Sequence, residues 1–161
     1  MRDRRDGPPY ARTQSQYAVH ADSTFLPVPE LCNILIARVV SQEWGATEFA
    51  STRAGWADIP EEMKAKGRGK GFWHHYFHSQ SKISPELAGQ KMFHNWPEQH
   101  WHTVWPNPVT GEEALYIASH AYAVNGYEKD EGQALIDELT AFVTQPEYVY
   151  SHKWTPGNVV M

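Results

Sequence analysis

Cys32-Asn33-Ile34-Leu35-Ile36-Ala37-Arg38-Val39-Val40 is the stretch that points most directly to the fold. β-Branched residues dominate it, Pro27 and Pro29 bound it on one side, and Gly45 bounds it on the other, which together mark a strand. Working outward, Tyr17–Phe25 reads as a strand running into a turn, and Thr47–Ala50 as a short strand. Ser51–Ile59 reads as a helical turn, and Pro60-Glu61-Glu62 as a helix start. Lys64–Lys70 is a Gly/Lys-rich loop, Gly71–His78 an aromatic strand, and residues 79–100 a long loop that could cover a substrate. Trp101–Trp105 and Ala114–Ile117 flank a hairpin-like turn, Pro108-Val109-Thr110-Gly111. Lys129–Val143 is the clearest helix, with Ala134, Leu135, Leu139, Phe142 and Val143 on one face. Tyr148–Trp154 and Asn158–Met161 close the chain as strands. Many short strands with few helices predict a mainly β sandwich or barrel with helical insertions. The apolar ending Val159-Val160-Met161 looks cut within a sheet and is expected to lack a partner strand.

The chain has 161 residues, the length of one domain, and its seven Trp and eight Tyr are material for a buried core. A net charge of −5 offers no basic face for nucleic acid. No apolar run approaches the ~20 residues of a membrane span. Residues 1–16 form a polar, irregular arm whose charged start lacks the apolar core of a secretory signal. The single cysteine, Cys32, permits no internal disulfide and suits a reducing cytoplasm, where it reads as a small buried hydrophobe. A homo-oligomer is left open. Nine histidines are the one compositional hint of metal chemistry.

His20-Ala21-Asp22 turns that hint into a candidate site. On an extended strand, residues i and i+2 face the same side, so imidazole and carboxylate can converge on one metal ion. They would supply two of the three donors of a 2-His-1-carboxylate facial triad, whose open positions take cosubstrate and oxygen. Alone, a His-x-Asp pair is common, and a hydrogen-bonded surface pair is its ordinary reading. His74, His75 and His78 would suit zinc on a helix. The interleaved Phe72, Trp73, Tyr76 and Phe77 suit a strand better, which makes these histidines structural or pocket-lining. His100 and His102 share a strand face without a carboxylate in line, and His152 reads as a sheet-surface or core residue. The tryptophans read as core and pocket walls.

The motifs, taken in order, resemble the taurine dioxygenase and 2,4-dichlorophenoxyacetate dioxygenase (TauD/TfdA) family. The resemblance runs through His20-Ala21-Asp22-Ser23-Thr24-Phe25, Ile36-Ala37-Arg38-Val39-Val40 and Gly45-Ala46-Thr47-Glu48-Phe49-Ala50. It continues through Pro108-Val109-Thr110-Gly111, Ser119-His120-Ala121, Thr144-Gln145-Pro146-Glu147-Tyr148 and His152-Lys153-Trp154. It implies a double-stranded β-helix, or jelly roll, of which residues 1–161 are the central part, truncated at both ends. His20 and Asp22 match two ligands of Fe(II), and Thr47 matches a threonine that contacts the distal carboxylate of 2-oxoglutarate. His120 matches a histidine that faces the substrate carboxylate. The implied reaction hydroxylates a small organic acid, of aryloxyalkanoate or sulfonate type, using O₂ and converting 2-oxoglutarate to succinate.

Departures accompany the match. Trp44-Gly45-Ala46 stands where the family usually has Gly-Gly-Asp, and Trp105-Pro106-Asn107 stands where many members carry Arg-Thr-His. The third iron ligand and the 2-oxoglutarate arginine are expected beyond Met161, so residues 1–161 alone are expected to be a poor enzyme. Two other classes compete: an inactive fragment or pseudoenzyme with two ligands only, and a cupin-like metal- or ligand-binding module. Succinate release separates the first from an enzyme, and a metal held by His74, His75 or His78 would favour the second.

Overall fold

A computed structural model of the chain describes residues 19–41 and 45–161, with the backbone alone at 83, 87, 88, 92 and 93. The strands, in chain order, are Leu35–Ile36 (β1), Thr47–Ala50 (β2), Gly71–His74 (β3), Gln99–His102 (β4), Val104–Pro106 (β5), Glu113–Leu115 (β6), Ala121–Val124 (β7), Val149–His152 (β8) and Val159–Val160 (β9). The helices are Thr52–Asp58 (α1), Glu61–Gly67 (α2), Tyr76–Ile83 (α3), Pro85–Ala88 (α4) and Lys129–Val143 (α5). All pairings are antiparallel: β4-β3-β7 form one sheet, and β1–β9, β2–β8 and β5–β6 form two-stranded ribbons. Among the described residues no helix is long and apolar enough to cross a membrane.

The core sits where α5 packs on β7, the neighbour of β3 in the sheet. Leu135, Ile136, Leu139 and Val143 recur at helical spacing and are buried against Phe72, Val124 and Leu115. Each such side chain contributes about 1.5–3 kcal/mol by leaving water. Helix α1 adds Trp56 and Ile59, and its first turn is closed by Ser51, whose hydroxyl accepts from the Ala54 N–H at 3.2 Å. Glu113 ties the two layers together, accepting from the Trp56 indole at 3.0 Å and from Arg68 at 2.8 Å.

The Lys129–Val143 helix, the Thr47–Ala50 strand and the turn at 108–111 lie where the sequence predicts them. Other expectations are corrected. Residues 19–25 form a bend and turn without strand pairing, while positions 17 and 18 lie outside the described residues. Of Cys32–Val40 only Leu35–Ile36 pairs, and Cys32 is exposed. The aromatic strand stops at His74, because the Ala121 register shifts there and His75 turns the chain into α3. Residues 79–100 are largely helical, where a loop was expected, and helix α2 runs into the expected loop as far as Gly67. Strand β9 has a partner: Val160 lies opposite Leu35, and Val159 opposite Ile36. On and beside that ribbon Ile36, Val39 and Val159 remain exposed.

Gly55 marks the tightest approach between α1 and α5. A Cβ there would stand 2.9 Å from Val143 Cγ1 and 3.0 Å from its Cα. Backbone cannot yield as a side chain does, so Gly55→Ala is expected to cost about 1–3 kcal/mol of stability. Urea titration checks this, and an unchanged midpoint would show that the helices separate freely.

Candidate metal and substrate site

Residues 19–25 carry the candidate ligands, and the sheet holds this segment at both ends. The Val19 carbonyl accepts from the Ser119 N–H at 2.8 Å. Further along, Thr24 is buried: its hydroxyl lies 3.1 Å from His74 Nδ1, and its carbonyl accepts from the Trp101 indole at 2.6 Å. Between these anchors the chain turns through Ser23, a non-glycine residue in the left-handed region at φ 63°, and the Leu26 N–H closes the turn on the Ser23 carbonyl at 2.9 Å. Such a conformation costs of order 1–3 kcal/mol and persists only where surrounding contacts fix it.

The turn brings His20 Nε2 to 3.7 Å from Asp22 Oδ1. The other carboxylate oxygen, Oδ2, accepts a short hydrogen bond from the Asn33 amide. Two neighbouring ligands of an octahedral ion with bonds near 2.1 Å stand about 3 Å apart, so a small side-chain rotation closes the difference. His20 is 68% and Asp22 51% exposed at the side chain, which leaves both open to an incoming ion. One imidazole and one singly engaged carboxylate, with the second oxygen steered by an amide, suit Fe(II) as two of its donors. Among the described residues no group of three His, Cys, Asp or Glu side chains is placed to hold a metal. That includes His74, His75 and His78, so the zinc reading finds no support there.

The pair opens on a cavity of about 440 Å³, of the size that takes a small molecule. Its wall includes Phe25, Tyr76, Lys82 and His120. Phe25 stacks on Tyr76 with centroids 4.4 Å apart and meets His120 edge-on at 4.9 Å. His120 reaches the wall because its carbonyl accepts from the His75 N–H at 3.0 Å, fixing the start of β7 against the start of α3. Burial, then the neighbouring His20, push the His120 pKa down to about 4 against the opposing pull of Asp22. His120 is therefore neutral at pH 7, a hydrogen-bonding group without a charge.

Thr47 stands elsewhere. It lines a second cavity, with Leu35, Ile36 and Trp154, under the β1–β9 ribbon. Its Oγ1 accepts from the Trp154 indole at 2.9 Å, which leaves the hydroxyl proton available to a further acceptor. His152 lies directly across the ribbon from Thr47, its ring edge-on to Trp154 at 4.4 Å. So the structure gathers His20, Asp22 and His120 at one cavity, and Thr47 lines another.

The profile of the taurine catabolism dioxygenase TauD, TfdA family matches residues 2–161. The chain belongs to that family. It is 34% identical over 149 residues to (S)-phenoxypropionate/alpha-ketoglutarate-dioxygenase of Sphingobium herbicidovorans, covering 88% of this chain and 52% of that protein. It is 31% identical over 142 residues to alpha-ketoglutarate-dependent 2,4-dichlorophenoxyacetate dioxygenase of Burkholderia sp. (strain RASC), covering 88% and 48%. The chain thus spans about half the length of the curated relatives it matches. Among solved structures, that of AAD-2 in complex with Mn(II) and N-oxalylglycine matches with a TM-score of 0.84 at 30% identity, over 91% of this chain and 58% of that one. This likeness bears out the jelly-roll class, present here in part.

The TauD, TfdA resemblance singles out residues by motif, so it passes over those that shape the cavity without one. Asn33, Tyr76 and Lys82 were not legible as site residues. For Tyr76 and Lys82 the signal would have been a helix over 76–83, which the run of aromatics and histidines conceals.

Two further histidines lie behind the wall. Burial first, then His120 and His100, push the His74 pKa down to about 3; burial first, then Lys82, push His78 down to about 4. Both leave Nε2 buried without a partner. An unfolded histidine titrates near 6.5, so below that pH the unfolded chain binds protons that the folded chain refuses. Stability is therefore full above pH 6.5 and falls as pH drops toward 4. Urea midpoints measured across that window check this, and His74→Gln is expected to flatten part of the slope.

Proposed function

We propose that the protein is an Fe(II)- and 2-oxoglutarate-dependent dioxygenase that hydroxylates a small organic acid of aryloxyalkanoate or sulfonate type in the cytoplasm, without nucleic-acid or membrane partners. Residues 1–161 form the central part of its one catalytic domain; the arm expected over 1–16 lies outside the described residues. The observation that carries the reading is the 3.7 Å approach of His20 Nε2 to Asp22 Oδ1 on the wall of the His120 cavity.

His20 and Asp22 hold the metal in this reading, and Asn33 keeps the Asp22 carboxylate turned so that one oxygen faces His20. When bound, Fe(II) supplies oxygen activation coupled to the decarboxylation of 2-oxoglutarate to succinate. In this reading 2-oxoglutarate extends from the metal pair toward the second cavity, where Thr47, its oxygen already fixed by Trp154, offers its O–H to the distal carboxylate. Neutral His120 hydrogen-bonds the substrate, and the Phe25–Tyr76 stack keeps water from that side of the cavity. The competing reading, an inert two-ligand protein, draws on the absence of a third ligand among the described residues.

Mn(II) electron paramagnetic resonance tests the metal site. His20→Ala and Asp22→Ala are each expected to abolish the bound signal, and Asn33→Ala to weaken binding about 10–100-fold. Undiminished Mn(II) binding by the His20→Ala, Asp22→Ala double variant would move the site elsewhere. Succinate release that requires both Fe(II) and 2-oxoglutarate separates the enzyme from the inert protein.

A further inference from the structure

The cavity beside His20 and Asp22 is unevenly charged. Asp22 and Glu30 supply carboxylates to its wall, and among the described lining residues Lys82 is the one full cation. Lys82 forms no ion pair with Glu30, nor with any other described carboxylate. No arginine is among the described residues that line the cavity. A lysine left without a carboxylate partner at a concave wall is a ready counter-ion for an anionic ligand.

Helix α3 sets where that charge falls. Tyr76 opens the helix and Lys82 lies in its last turn, so at 1.5 Å per residue they are about 9 Å apart along its axis. Tyr76 and Phe25 form a stacked aromatic part of the wall, and Lys82 lines the same cavity. One helix thus presents an aromatic surface and a cation at a separation that a flexible lysine stem spans for a compact aryl acid.

We propose that Lys82 is the specificity-determining residue for an anionic substrate, its ammonium taking the carboxylate of an aryl acid whose ring lies against Phe25 and Tyr76. The proposal rests on the dioxygenase reading for the location of the substrate, and it is tested by binding alone. Glu30, on the same cavity wall, opposes the bound anion, and the ring carries the compensating contact.

Phenoxyacetate and phenoxyethanol share a ring and an ether oxygen and differ in charge. Each is titrated into the metal-free and the Mn(II)-loaded protein, with tryptophan fluorescence or saturation-transfer NMR as the readout. Lys82→Met is expected to weaken phenoxyacetate by about tenfold or more, the scale of a lost charged hydrogen bond, and to leave phenoxyethanol unchanged. Lys82→Arg is expected to retain the preference for the acid, and salt to erode it in the wild type and in Lys82→Arg but not in Lys82→Met. Equal losses for both ligands, or none for the acid, would overturn the assignment. The Mn(II) signal keeps the two readings apart. A normal signal with no change in acid preference sinks the Lys82 role alone. A missing signal with an intact, Lys82-dependent preference sinks the metal site and keeps the Lys82 role.

Discussion

Thr24 is the pivot of the site. Its side chain and carbonyl are both taken up by the sheet, one by His74 of β3 and the other by the indole of Trp101 on β4. A buried hydroxyl and carbonyl left unpaired would each cost about 1–3 kcal/mol, so the two bonds leave Thr24 little freedom to sit elsewhere. With Thr24 fixed behind them and Val19 fixed ahead, His20 to Ser23 must complete a tight turn, and the left-handed conformation of Ser23 follows from that span. The metal-facing pair is thus positioned from the core outward. His74, beneath it, contributes by structure and stays neutral.

This arrangement explains which parts of the site were readable in the chain. The His20-x-Asp22 spacing and the Ser119-His120-Ala121 motif are local patterns, and the residues they name do meet at one cavity. The reason first offered for their meeting was wrong in detail: alternation along a strand would place i and i+2 together, whereas a turn does so here. A turn of this kind is written in distant residues, since Thr24 depends on partners 50 and 77 positions away. Helix α5 was legible because its burial pattern needs only its own spacing. Helix α3 was not, because its aromatic residues favour a strand and tertiary packing overrode that preference. Strand β1 was over-read for a related reason. Its apolar residues are exposed on a ribbon edge, and hydrophobicity alone did not tell pairing from mere β-propensity.

Three histidines, His120 on the cavity wall and His74 and His78 behind it, are each held neutral chiefly by burial. Their mutual influence runs the same way, since protonating one raises the cost of protonating the next. Such a group contributes polar atoms without net charge, leaving the electrostatics of the cavity to Asp22, Glu30 and Lys82 on its wall.

The ribbon that joins β2 to β8 has a bearing on how the chain acquires its shape. The Trp154 indole reaches Thr47 across 107 positions, and β1 waits for β9 in the same way. Closing loops of that length is entropically costly before any contact offsets it, and proteins dominated by such pairings fold slowly. During synthesis β1 and β2 emerge long before their partners, with Leu35, Ile36 and Phe49 unpaired meanwhile. Their dwell time in that open state, more than the strength of the finished pairing, sets how long this half of the molecule is exposed to self-association.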